Sequence, residues 1–373
     1  MRFTFLSLSI VGLSALTHCQ PTAEDASRHL MSTIVKEYSS AISSSLPSGS
    51  CNKKNVAVRR EWETLSKSEK LDYLDAVKCL QSKKPTVTGS QARTRYEEWV
   101  LSHINVTLDI HFSGLLLPWH RYFIWLHEKA LREECGYTGY QPYWDWSKYI
   151  VNTKHSTIFD GSEHSFGGNG QYVPHGATNI TQAGGAPPVV YLIQPPGTGG
   201  GCVTSGPFAN YTLHLDAANN GTASPVRIFE SPRCLRRDFS LPVLKNQNSY
   251  QNVSDIILKS NDIREFLTTL DLANGIHPSG HAFIGGENNN LFTSPSDPLF
   301  FLHHANVDRV WSMWQSRDLE TRTLALYGTL TWSNYPPSPN ATVDDIMDMG
   351  PLGSKKILDV MSTVDKILCY KYE

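Results

Sequence analysis

The sequence lacks a surplus of charge of either sign. Its 33 Lys and Arg residues are offset by 35 Asp and Glu residues, and only 18% of the 373 residues are charged. The basic residues are dispersed, so they form no patch that would attract nucleic acid or an anionic membrane surface. We therefore expect neither as a partner.

The sequence also lacks an apolar run long enough to cross a bilayer. Its most apolar stretch, residues 3–16, follows Arg2 and precedes the small residues Thr17 and Cys19. This pattern is typical of a secretory signal peptide. We expect residues 1–19 to be removed, with cleavage between residues 19 and 23, and the remaining chain to be secreted and extracellular.

Cysteine is scarce, with seven residues, and Cys19 lies in the signal segment. The other six are an even number that suits disulfide bonds in an oxidising compartment, although the sequence does not choose among the fifteen pairings. They are Cys51, Cys79, Cys135, Cys202, Cys234 and Cys369. Six Asn-x-Ser/Thr sequons agree with export and predict N-glycans. The sequons begin at Asn105, Asn179, Asn210, Asn220, Asn252 and Asn340.

Several segments show apolar residues at helical spacing. They are residues 28–45, 59–81, 91–103, the stretch that follows Pro118, and 262–272. Between about 150 and 245 the chain is instead rich in Gly, Pro, Ser and Asn, which predicts a long irregular loop with a few short strands, fastened by Cys202 and Cys234. A two-domain interpretation would divide the chain in this segment. We predict instead one mainly α domain over residues 20–373, because the His-rich segments on the two sides of the loop look like halves of one site.

The most informative motif is the run from Asp297 to Trp311, which contains the adjacent His303 and His304. On a helix His304 and Asp308 share a face, so the carboxylate could accept the second ring N–H of a metal-binding imidazole or pair with a nearby Arg. A buried polar helix whose His and Asp satisfy each other explains this motif equally well.

Five further histidines favour the metal site. His103, His111 and His120 lie at intervals of eight and nine residues, and His277 and His281 are four apart, with His304 following. Imidazoles suit Zn, Cu, Fe and Ni, and three His per metal leave a coordination position open for chemistry. A structural zinc protein does not explain two triplets. We interpret the other histidines beyond the signal segment as structural, with His127 the best candidate to support a ligand; these are His29, His127, His155, His164, His175 and His214.

Five motifs spread over residues 55–315 resemble the tyrosinase, catechol oxidase and haemocyanin group of dicopper proteins. They are VRREW (58–62), LLLPWHRYFIWLHE (115–128), PYWDW (142–146), HPSGHAFIGG (277–286) and SPSDPLFFLHHANVDRVW (294–311). The resemblance implies that His103, His111 and His120 bind one copper and that His277, His281 and His304 bind the second. It also implies that Asp308 orients a ligand, that Phe300 lies beside the two coppers, and that His303 shapes the pocket without binding metal.

The resemblance further implies an antiparallel four-helix bundle around two copper ions. The implied activity is a phenol oxidase that uses O₂ to convert o-diphenols into o-quinones, with weak o-hydroxylation of monophenols or substituted phenols. The alternative is a haemocyanin-type protein that binds O₂ reversibly, since both classes use the same two triplets.

Two departures from the family pattern concern the site. Many relatives have a cysteine, cross-linked to the second ligand, where this chain has Asp109, so we expect no thioether bridge. Pro278 follows His277 where phenol-hydroxylating members often have Asn. Pro disfavours helix at the residue before it, so we predict that the helix ends near Asn274 and that His277 lies in a turn. Glu265 or Asp271 is a candidate base, although an ordinary helix-surface carboxylate is the better interpretation of each.

The third departure is at the C-terminus. Tyr370 and Tyr372 resemble the element that closes the core domain in larger relatives, and we expect no lid domain to follow. We also expect Pro278, Ala282 and Phe292 to line the substrate pocket, with Phe292 as a candidate gate.

Overall fold

The computed structural model describes residues 22–46, 49–153, 156–181, 190–218 and 226–373. The predicted signal segment, residues 1–19, lies outside the described residues, as do His155 and the sequon at Asn220. Across the described ranges, no helix combines the length and the apolar character needed to cross a membrane.

Helices dominate the described chain, which confirms the mainly α fold class. They are α1 (Ala23–Ser45), α2 (Lys67–Ser82), α3 (Glu97–Ile110), α4 (Leu116–Cys135), α5 (Leu241–Gln247), α6 (Tyr250–Lys259), α7 (Ile263–Asp271), α8 (Ile276–Ile284), α9 (Leu299–Ser316) and α10 (Leu319–Arg322).

Capping residues set several helix boundaries that apolar spacing alone misplaced. The helix predicted over 59–81 begins only at Lys67, because the Ser66 side chain accepts the backbone N–H of Glu69 while the Glu69 carboxylate accepts that of Ser66. The helix predicted over 91–103 is displaced towards the C-terminus and runs to Ile110. At the end of α4, Gly136 adopts φ 73°, a left-handed conformation that glycine accepts without steric cost.

The prediction that His277 lies in a turn is wrong. α7 ends at Asp271, and a separate helix, α8, begins at Ile276 and contains both His277 and Pro278. Pro278 is the third residue of α8, where a backbone N–H would have no partner within the helix. Proline is therefore tolerated in the first turn of α8 and does not exclude a helix at His277.

The long loop region carries short two-stranded ribbons, as predicted. In its described parts β2 (Gly170–Tyr172) pairs with β5 (Gly200–Val203), β3 (Thr178–Thr181) with β4 (Val190–Gln194), and β6 (Thr212–Ala218) with β7 (Arg227–Cys234), all antiparallel. The Cys202–Cys234 disulfide fastens this region, and the other two bonds are Cys79–Cys135 and Cys51–Cys369. Near the C-terminus β8 (Ile346–Asp348) pairs with β9 (Ser354–Lys356).

The chain ends as a strand beside its own beginning. β10 (Tyr370–Tyr372) pairs in parallel with β1 (Ala57–Arg59), and the Cys51–Cys369 bond lies beside this pair. A two-residue step separates the tyrosines, so both side chains lie on the same face of the strand, and both are buried.

Helix α9 is the centre of the fold. Every residue from Leu299 to Gln315 is buried. Helices α4 and α8 pack against α9, and α3 packs against α4. Because a buried polar side chain needs a partner, the His, Asn, Asp and Arg residues of α9 require a specific polar environment.

Candidate metal centre

Four helices bring the six predicted ligands together in two clusters. α3 carries His103 and ends just before His111, and α4 carries His120. The candidate ligand atoms of these three residues lie within 4.8 Å of one another. α8 carries His277 and His281, and α9 carries His304. The candidate ligand atoms of these three residues also lie within 4.8 Å of one another and form the second cluster.

The two clusters adjoin each other. The rings of His120 and His304 stack with their centroids 4.2 Å apart. The rings of His111 and His277 are parallel at 6.2 Å. The site can therefore hold two metal ions as neighbours.

Backbone carbonyls fix the ring orientation in the first cluster. The Nδ1 atoms of His103, His111 and His120 lie 2.9, 2.9 and 2.8 Å from the carbonyl oxygens of Phe292, Thr107 and Leu116. Because a carbonyl only accepts hydrogen bonds, each Nδ1 carries the proton and each Nε2 keeps a free lone pair. Within the described part of the chain, the buried Nε2 atoms of His103 and His120 have no hydrogen-bond partner.

Side chains orient two ligands of the second cluster. Nδ1 of His277 lies 2.7 Å from the Asp271 carboxylate, and Nδ1 of His281 lies 2.9 Å from both the carbonyl and the side-chain oxygen of Asn288. Nε2 of His277 has no hydrogen-bond partner among the residues that the structure describes, and Nε2 of His281 lies 3.1 Å from Nε2 of His304. Such converging lone pairs are what ligands of one metal ion present.

Burial keeps these imidazoles neutral. It lowers the pKa of His111 to about 4 and the pKa of His277 and His281 to about 3. The pKa of each of the other three members of the triplets lies well below the usual value, mainly for the same reason. Neutral rings with unpartnered Nε2 atoms fit a pair of copper ions, which imidazole binds well.

His303 lies close enough to the second cluster to form a group of four with it. Its Nδ1, however, accepts the indole N–H of Trp146 at 3.0 Å, so the neutral ring holds its proton on Nε2 and has no lone pair for a metal. The ring also packs against Gly280, where any Cβ would collide with it. These contacts give His303 a structural role beside the ligands, and its part in shaping the substrate pocket stays a prediction.

Phe300 lies among the ligand rings, with its centroid 4.2 Å from that of His304 and 5.4 Å from that of His103. It is completely buried. His127, the candidate for a supporting role, stacks on Phe301 at 3.6 Å and faces Gln141 instead of a ligand.

The expectation that Asp308 orients a ligand is wrong. Its carboxylate accepts a hydrogen bond from Arg121 Nε. It also accepts hydrogen bonds from the hydroxyls of Tyr370 and Tyr372, both at 2.6 Å. Arg59 lies 3.7 Å from the same carboxylate and 3.5 Å above the Tyr370 ring. Asp308 therefore fixes the C-terminal strand to the bundle.

The two candidate bases have different positions. Glu265 is exposed, and its carboxylate accepts the backbone N–H of Asn261 at the start of α7, away from the copper cavity. Asp271 is buried and faces the cavity, so it is not a surface carboxylate. Its oxygens accept from His277 Nδ1 and from the backbone N–H of Phe112, and burial raises its pKa to about 7. Its contacts make it an orienting group for His277.

A cavity of about 420 Å³ opens onto both clusters, since His111, His277 and His281 line it. Pro278 lines it as well. Ala282 and Phe292, which were predicted to line the pocket, are not part of this lining. The Ala282 carbonyl accepts a hydrogen bond from the Gln194 side chain, and the Phe292 carbonyl accepts one from His103. Three further parts of the lining come from distant segments that no sequence motif indicated; these are Asn288 to Leu291, Tyr327 and Trp332.

Comparison with known proteins identifies the family. The profile of the common central domain of tyrosinase matches residues 93–317. The chain is 40% identical over 349 residues to Tyrosinase-like protein orsC of Emericella nidulans, covering 88% of this chain and 93% of that one. It is 36% identical over 351 residues to N-acetyl-6-hydroxytryptophan oxidase ivoB of the same species, covering 87% and 94%. The solved structure of a polyphenol oxidase variant from Thermothelomyces thermophila superposes with a TM-score of 0.85 at 38% identity, covering 92% and 98%.

The chain belongs to the tyrosinase family and is an oxidoreductase of the dicopper class. The family implies a dinuclear copper site, and the two histidine clusters are the groups in the described chain that fit it.

Proposed function

We propose that the protein uses O₂ to oxidise o-diphenols to o-quinones. The observation that carries this proposal is the open cavity lined by His111, His277 and His281, which gives a small aromatic molecule access to both copper positions. An oxygen carrier of the haemocyanin type needs no such access for a phenol, so the cavity favours the enzyme.

The bound copper pair would supply electron transfer between the phenol and O₂. The chain's own residues hold that pair and control its surroundings. Five of the six imidazoles, all except His304, are held by a hydrogen bond at Nδ1, the ring nitrogen that faces away from the centre. The Phe300 ring packs on His304 and excludes water among the ligands.

Diphenols are preferred over monophenols in this proposal. A monophenol must lose a proton as it binds, and Pro278 offers neither an amide side chain nor a backbone N–H to hold a water for that step. Asp271, the one carboxylate that the described part of the chain contributes to the cavity lining, already accepts two hydrogen bonds. We therefore expect monophenol hydroxylation to be weak.

We further propose that residues 20–373 form one secreted catalytic domain carrying N-glycans. The three disulfides support an oxidising destination. Mass spectrometry of protein secreted by a eukaryotic host would check both the new N-terminus and the glycans. An intact residue 1 on the exported chain would contradict the cleavage.

The test of the activity is oxygen uptake and quinone absorbance with copper-loaded protein. Catechol should be turned over and tyrosine, tyramine and guaiacol should react slowly or not at all. Reversible O₂ binding without catechol turnover would support the carrier instead. Fast tyrosine hydroxylation would overturn the argument from Pro278.

A further inference from the structure

We infer that the cavity selects o-diphenols that carry an uncharged apolar substituent and disfavours those that carry a carboxylate. This inference rests on the proposed oxidation of o-diphenols. The cavity volume of about 420 Å³ falls in the range of sites that enclose drug-sized ligands, so a single catechol ring leaves much of it unfilled.

The lining has an apolar wall and no cation. The apolar members include Phe112, Leu267, Leu272, Pro278, Leu291 and Trp332. Among the described residues, Asp271 is the one ionisable carboxylate of the lining, and no Lys or Arg belongs to it. Outside those residues the only Lys or Arg side chains are Arg2 and Lys154. A substrate carboxylate would therefore lose water without gaining a Lys or Arg side chain as a partner of opposite charge.

Two large side chains at the entrance are unusually exposed. Leu272 is 49% exposed and Tyr327 is 46% exposed, and both line the cavity. Exposed apolar side chains around a concave site mark a ligand-binding surface. A substituent that reaches from the copper pair to the entrance would cover them.

Two matched pairs of substrates test this inference. Catechol is compared with 4-tert-butylcatechol, and the methyl ester of 3,4-dihydroxyphenylacetic acid with the free acid. We expect kcat/KM to be about tenfold or more higher for the butyl compound and for the ester, since a few apolar groups in a fitted pocket give at least that discrimination. Equal values within both pairs would overturn the selectivity and leave the proposed function intact. If none of the four compounds is oxidised, the proposed function itself is overturned.

A variant locates the selectivity. Leu272→Arg places a cation at the entrance and should raise the ratio of acid to ester turnover about tenfold. Val151→Arg adds the same charge at a residue that is 74% exposed and outside the lining, so its ratio should not change. An equal rise in both variants would show that net charge, and not the entrance, sets the ratio.

The geometry also points to a second role, independent of the substrate: the loop region positions ligands of both coppers through the segment 286–297. This segment supplies the Phe292 carbonyl that orients His103 and the Asn288 oxygens that orient His281. One residue of the segment thus orients a ligand in each cluster.

Arginines of the loop region hold the two ends of that segment. At its start Glu287, which is buried, pairs with Arg233 at 2.8 Å and with Arg236 at 2.7 Å. At its end Asp297 receives two parallel hydrogen bonds of 2.8 Å from Arg237, and both side chains are fully buried. Bidentate pairs of this kind fix geometry as well as contributing energy. We assign these residues as positioning residues.

Copper affinity, measured by competition with a chelator on folded protein, tests this role. Glu287→Gln should weaken copper binding by up to about tenfold, the lower end of the effect of losing a group that hydrogen-bonds a ligand directly, because Glu287 acts on His281 through the neighbouring Asn288. Glu230→Gln is the matched control, because Glu230 lies on β7, which also carries Arg233, and its carboxylate pairs with Arg93 at the surface. Should Glu287→Gln fail to fold, Arg236→Gln removes one partner of Glu287 at a half-exposed position and should weaken binding by a smaller factor. A loss of thermal stability with unchanged copper affinity would overturn the assignment.

Discussion

Replacing Asp271 by Asn gives the sharpest test of how the second cluster is built. The carboxylate accepts two hydrogen bonds, from His277 Nδ1 at 2.7 Å and from the Phe112 backbone N–H at 3.2 Å. An Asn side chain has one acceptor oxygen, so it can keep one of these bonds, and its NH₂ group then faces the other donor. Ala keeps neither.

The size of the effect follows from the lost hydrogen bond. A hydrogen bond to a charged group contributes about 1.5–3 kcal/mol. Since about 1.4 kcal/mol corresponds to a factor of ten, copper binding should weaken by about 10–100-fold in Asp271→Asn and further in Asp271→Ala. The copper-free protein should not be destabilised by Asp271→Asn to the same degree, because the substitution also removes a carboxylate that is costly to bury.

The assay therefore needs two measurements on each variant: copper affinity by chelator competition and unfolding of the copper-free protein in urea. Glu265→Gln is the control, since Glu265 is the other carboxylate of the same helix and caps its start at the surface. Unchanged copper affinity in Asp271→Asn would refute the orienting role. Equal losses in both variants would show that the effect comes from α7 as a whole.

Other predictions concern single side chains. His304→Ala should lose the second copper, whereas His303→Ala should keep both ions, as metal analysis would show; copper loss only in His303→Ala would reverse the assignment. Asp308→Asn removes a buried charge from its buried arginine partner and should destabilise the copper-free protein to urea by about 3–5 kcal/mol; a change below 1 kcal/mol, of the order of a surface ion pair, would contradict its anchoring role. Burial lowers the pKa of His127 from 6.5 to about 3, so the stability it contributes is complete above pH 6.5 and is lost as the pH falls towards 3. In His127→Phe the free energy of unfolding should therefore fall less steeply over that range, by up to about 1.4 kcal/mol per pH unit. His29→Gln, a substitution at an exposed position, is the control and should leave the slope unchanged.

Local patterns predicted the helices better than their ends. Apolar spacing located α1, α2, α4 and α7, because a buried face repeats with the helical period. The start of α2 depended on the exchange of hydrogen bonds between Ser66 and Glu69, which the apolar pattern does not contain. Pro278 misled the prediction for His277 because proline's effect depends on its place in the helix, and the third position allows it.

The six histidines could be found from the sequence because each lies in a distinctive motif. Their partners could not. Asp308 is one turn after His304, which suggested a direct contact, yet its carboxylate is taken by Arg121 and the two C-terminal tyrosines, which come from distant parts of the chain. The orienting groups of the ligands are mostly backbone carbonyls, and a carbonyl is the same in every residue.

By itself the sequence determined the class of helical protein, the two sets of three imidazoles and the absence of a cysteine that could cross-link to them. These are properties of residue type and spacing, and they follow from chemistry that each segment carries alone. Only the tertiary structure decided which nitrogen of each ring is free, that His303 is held by Trp146, and which residues enclose the cavity. Such properties depend on atoms brought together from α3, α4, α8, α9 and the segment 286–297, whose approach is set by packing across the whole fold.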